Sequence, residues 1–139
     1  MIKIIRILAV LLLLFNGIGA LYGGWVLMTD PTGVQMQLPA AYLEHIPFKN
    51  YFVPGLILFT ANGLFSFAVL AALAFQYRLS SLLIMGQGII LCGWIVIQML
   101  MVQDIYYLHV VMGSAGLGLV GVGFTLFSTE TQREFHTSK

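Results

Sequence analysis

Charge is what this sequence has least of. Of its 139 residues only 8% are Asp, Glu, Lys or Arg, while 60% are hydrophobic. Soluble domains carry about a quarter charged residues, because charge keeps their surfaces in water. A surface this poor in charge must face lipid. The net charge of +1 provides no basic field to hold nucleic acid. One cysteine, Cys92, lies inside an apolar run, which excludes an intrachain disulfide and CxxC thiol chemistry. No HExxH occurs, and no cofactor or metal site is implied. No carboxylate lies at the centre of an apolar segment, which argues against proton-coupled transport, since that needs a titrating group in the path.

What is present is apolar length. Four segments meet the requirement of about 20 predominantly apolar residues for crossing a bilayer core. They run approximately over residues 4–28, 54–77, 79–102 and 105–128. The first carries only Arg6, at its start, where a long side chain can reach the surface. Lys3 and Arg6 before an apolar run resemble a secretory signal, but Ile18 spoils the small-x-small site and the run continues to Met28. A retained helix is expected. The fold class is therefore all-α, a four-helix transmembrane bundle with antiparallel up-down neighbours.

The connections are unequal. Arg78 marks a tight turn between the second and third segments, with Ser80 and Ser81 as candidate caps. Gln103-Asp104 joins the third and fourth, and Asp104 suits an N-cap. The first connection, residues 29–53, is long and holds Pro31, Pro39 and Pro47. A short surface helix between Pro39 and Ile46 would set Tyr42 and Ile46 on one side. The polar tail, residues 129–139, is expected to fray.

Fifteen glycines offer close-packing grooves. Gly19 and Gly23 in the first segment, and Gly113, Gly116, Gly118, Gly121 and Gly123 in the last, have the spacing that lets helix backbones approach. These grooves receive either neighbouring helices of the bundle or a second copy of the chain. Asn16, Asn62 and Ser66 are the polar groups nearest mid-membrane, at about 18, 22 and 16 Å from the inner ends of their helices. Unpaired amides are costly in hydrocarbon, so these groups should meet. Gln87, Trp94 and Gln98 form one stripe on the third segment, which should face protein or water. Gln98, Trp25 and His109 reach nearly one depth, with Tyr22, Tyr106 and Trp94 nearby. Either they form an interfacial belt, or they line a shallow outward-facing pocket under the long loop. Ser114 does not form a catalytic dyad with His109, which lies five residues back and about 140° round the same helix.

The motifs GGW-x4-DPTG (Gly23 to Gly33) and PF-x2-YFVPGLILF (Pro47 to Phe59) resemble those of small four-helix bacterial membrane proteins. More distantly, the layout resembles the DoxX-like family, with its glycine-rich first helix and long first extracytoplasmic loop. That resemblance implies quinone-linked or envelope-stress roles, often as partner subunits. The residues suggest a non-enzymatic membrane protein embedded in the lipid bilayer, either a partner subunit (or homodimer) or a lipid-handling module. A binder of a quinone or isoprenoid and a small transporter are the alternatives.

Lys3, Arg6, Arg78, Arg133 and Lys139 fall on one side of the four segments and Lys49 on the other. Positive charge is retained in the cytoplasm, so this five-to-one asymmetry predicts cytoplasmic termini in a bacterial inner membrane. A periplasm-active phosphatase fused after Pro39 is expected to be active, and one fused after Lys139 silent. The reverse pattern would overturn the orientation.

Overall fold

The computed structural model describes residues 2–32, 50–102 and 107–137. Four helices account for nearly all of them: α1 (Ile2–Thr29), α2 (Phe52–Ala74), α3 (Ser80–Val102) and α4 (Tyr107–Thr137). All four are long and apolar enough to cross a membrane. The chain forms a helical bundle. Neighbours in sequence are neighbours in space, and α4 returns to pack on α1, so α1 and α3 face each other diagonally. Contacts are most extensive within two hairpins, α1–α2 and α3–α4. Ala9, Leu13, Val69, Ile84, Leu91, Leu119 and Val122 fill the common core. Ile4, Ile7, Leu11, Leu117 and Phe124 stay on the outer surface, as they must where the solvent is hydrocarbon.

Lipid gives apolar helices no hydrophobic reason to associate, so close backbone approach has to supply the attraction. Each hairpin obtains it at one glycine pair. A Cβ on Gly24 would lie 2.7 Å from the Gly55 carbonyl oxygen, and one on Gly88 would lie 2.6 Å from that of Gly116. Gly123 is equally tight, against the backbone of Ser81 and Met85. Gly19 and Gly121 receive no neighbouring helix of the bundle, since a Cβ at either meets nothing within 4 Å. Gly113 and Gly118 touch only the ends of Ile95 and Leu12. Small residues on a helix allow close approach only where a neighbour crosses, and the crossings fall elsewhere.

Helix α2 is not uniform. Between α-helical Phe52–Ile57 and Phe65–Ala74 it widens into a π-helical stretch, Leu58–Leu64. Such stretches are rare and recur at functional sites. Thr60 lies within it, and its hydroxyl donates back to the Leu56 carbonyl at 2.8 Å. That local bond competes with the helix's own ladder. Helix α2 closes with Gln76 in the left-handed region (φ 55°), where Tyr77 N–H donates to the Ala72 carbonyl and Gln76 N–H to that of Leu73. This paired closure turns the chain into α3 within five residues.

Three differences from the sequence expectations concern helix ends. Helix α4 continues to Thr137 instead of fraying after Ser128. The extension has no Gly or Pro to stop it, and Ser81 on α3 donates to its Glu130 at 3.0 Å. Ser81 is thus a tether between helices and not a cap. Helix α2 ends at Ala74, three residues before the expected Tyr77. The proposed surface helix after Pro39, the Asp104 cap and Tyr106 lie outside the described residues.

The glycine crossings set an expected stability pattern. Gly88→Val must push α4 backbone aside, since Gly116 O and Val120 N lie 2.6 and 2.8 Å from its Cβ position. A loss of about 1–3 kcal/mol is expected from such overpacking. Gly121→Ala meets open space and should gain up to about 1 kcal/mol of helix propensity. Unfolding of both variants in mixed detergent micelles checks the contrast, and equal stabilities would refute it.

Candidate functional site: an amide cluster beneath an interhelical cleft

The structure brings the mid-membrane polar residues together. Asn16, Asn62, Ser66 and Gln87 are each fully buried. Asn16 Nδ2 donates to Ser66 Oγ at 2.9 Å and, more weakly, to the Asn62 carbonyl at 3.4 Å. Gln87 Nε2 donates to Asn62 Oδ1 at 3.3 Å. The π-helical stretch contains Asn62, and it presents both the carbonyl and the side chain of this residue to the bundle interior. Three helices thereby share one hydrogen-bonded cluster.

The cluster is incompletely satisfied. Asn16 Oδ1, Asn62 Nδ2 and Gln87 Oε1 are buried without a partner. The orientation of the Asn16 amide is set by its neighbours: a backbone carbonyl only accepts, so the atom facing Asn62 O must be the nitrogen. An acceptor oxygen is left over.

Above the cluster, towards the long-loop end, lies a cleft of about 330 Å³. Phe15, Asn16, Gly19, Ala20 and Gly23 of α1 form one wall, and Leu91, Trp94, Ile95 and Gln98 of α3 form the opposite wall. Leu58 of α2 and Met112 of α4 complete it. Spacings of three and four residues put these α1 and α3 residues on single helix faces. The lining is almost wholly apolar, with polar groups at Asn16, Trp94 and Gln98. Trp94 is 5% exposed and its indole Nε1–H has no partner. Phe15 and Gly19 are exposed and carry the cleft out to the bundle surface.

Only part of the outward-facing set expected from sequence shares this cleft. Trp94 and Gln98 line it. Tyr22 and Trp25 are 69% and 59% exposed on the outside of α1 and do not line it. They turn away because α1 presents its glycine and alanine face inward. His109 is buried, but it borders a different groove with Cys92, Met99, Gly113 and Ser114. Ile95 stands between the two spaces and lines both. Sequence reading missed the small-residue stripe Gly19, Ala20, Gly23 as a cleft wall. The signal was present, since Asn16 and Ala20 are four apart, as are Gly19 and Gly23, but packing was the assumed use. Among the described residues no group of three His, Cys, Asp or Glu is placed to hold a metal.

No family model, curated protein or solved structure matches the chain.

The Asn16–Ser66 contact should be measurable as a coupling energy. In a double-mutant cycle with Asn16→Leu and Ser66→Ala, a coupling of about 0.6 kcal/mol, and at most about 1.7, is expected for a hydrogen bond between membrane helices. Additive losses in detergent unfolding would show that the two side chains do not act together.

Proposed function

We propose that this protein is a non-enzymatic lipid-handling module that holds an amphipathic, long-chain ligand in the cleft between α1 and α3. The observation that carries this reading is that two residues lining one apolar cleft, Asn16 and Trp94, each hold a buried polar atom without a partner: the acceptor Asn16 Oδ1 and the donor Trp94 Nε1–H. Burying polar atoms without partners costs free energy, and a ligand supplying partners recovers it. A hydroxyl both donates and accepts, so it matches the pair, whereas a ketone only accepts. An isoprenoid alcohol or a quinol therefore fits the lining better than a quinone. A quinone-linked role is also what the DoxX-like resemblance implies. The reading sets the chain in the bacterial inner membrane with cytoplasmic termini, supported by the distribution of Lys and Arg. A role as partner subunit has its own support in the exposed α4 face at Leu117, Gly121 and Phe124, where a second helix can approach closely.

Trp94 reports on the cleft directly. The chain has two tryptophans, so Trp25→Phe leaves Trp94 as the sole tryptophan, excited selectively at the red edge of the absorption band. A brominated long-chain alcohol in nanodiscs is expected to quench it saturably. The matching ketone should bind about fivefold more weakly, or about 1 kcal/mol. Gly19→Leu, whose Cβ position is clear of neighbours, should fill the cleft and abolish saturation. Quenching that rises linearly with ligand and ignores Gly19→Leu would overturn the proposal.

A further inference from the structure

At the opposite end of the bundle, Arg6 stands between two adjoining spaces. On one side is an apolar groove of about 470 Å³ between α1 and α2, walled by Ile7, Val10, Leu11 and Leu70. On the other is a polar pocket of about 240 Å³ that also contains Arg78, Glu130 and Glu134. Arg6 and Leu73 line both. The Arg6 Nε is buried and has no hydrogen-bond partner. A guanidinium at the edge of hydrocarbon normally reaches outward to a polar partner.

Among the described residues the polar pocket carries two guanidinium groups and two carboxylates. These charges balance, so they do not make a simple anion site. We infer that it receives a zwitterionic phospholipid headgroup bearing a primary ammonium, with an acyl chain lying in the α1–α2 groove. The phosphate meets Arg6 and Arg78, since guanidinium binds phosphate in a planar, bidentate fashion. The ammonium meets Glu130 and Glu134. Glu130 is already oriented by the Ser81 hydroxyl at 3.0 Å, which keeps its carboxylate in place for a cation. The levels agree: Arg6 lies near the start of α1, Arg78 lies in the α2–α3 turn, and the two glutamates belong to the polar extension of α4. This is where a lipid phosphate and amine reside. The site is independent of the ligand cleft at the other end.

The test is native mass spectrometry of the full chain released from nanodiscs of equal phosphatidylethanolamine, phosphatidylcholine and phosphatidylglycerol. Retained phosphatidylethanolamine is expected to exceed each of the others at least fivefold. Arg6→Gln should abolish that retention, and Glu134→Gln should shift the preference towards phosphatidylglycerol. If Arg6→Gln does not fold, Leu70→Trp blocks the groove instead and should remove the same adduct. Preferential retention of phosphatidylglycerol by the unaltered chain would overturn the inference in favour of an anionic lipid. Equal retention of all three would show that no selective headgroup site exists.

Discussion

A polar group in hydrocarbon has no water to fall back on, and this bundle is organised around that fact. Four buried polar side chains at mid-membrane must find partners within the protein, and they find one another. Asn16, Asn62 and Ser66 all belong to the first hairpin; Gln87 is the contribution of the second. The cluster is thus knotted within one hairpin and reaches the other through a single amide. Packing follows the same division, with tight glycine crossings inside each hairpin and looser contact between them. Two tightly packed pairs, joined at mid-membrane by the Gln87–Asn62 bond, describe the architecture better than four equivalent rods.

The π-helical stretch Leu58–Leu64 belongs to this solution. A regular α-helix commits each backbone carbonyl to its own ladder. A wider turn perturbs that ladder, and the Asn62 carbonyl here takes part in a bond to another helix. The distortion sits beside the cleft, since Leu58 lines it. Polar cluster, helix irregularity and cleft are therefore one structural unit. Asn16 belongs to both, lining the cleft and keeping one amide oxygen without a partner.

Much of this was legible beforehand, for physical reasons that can be named. Apolar length sets the number of helices, and short connections force antiparallel neighbours, so the bundle follows from composition and spacing. The meeting of Asn16 with Ser66 follows from depth and the cost of an unpaired amide. Other features carry no such signal. Nothing in Leu-Phe-Thr-Ala-Asn-Gly-Leu announces a π-helix, since its residue types also suit an ordinary α-helix. Glycine spacing on α4 marks faces that can be approached, yet only Gly116 and Gly123 lie where α3 actually crosses closely. Depth alone grouped Trp25 and His109 with Gln98, but rotation about each helix axis decides which space a side chain enters. The polar end of α4 read as a frayed tail because Glu130 gains its partner from residue 81, 49 positions away.

The long connection leaves and re-enters the bundle at adjoining points, since Tyr51 N–H donates to the Pro31 carbonyl at 2.9 Å and Tyr51 itself is 1% exposed. That bond acts as a clasp at the neck of the connection. With the neck closed, doubling the length of chain between these two residues would add only about 0.6 kcal/mol of closure entropy. As far as chain entropy goes, the clasp therefore lets the connection change in length at little cost to the bundle.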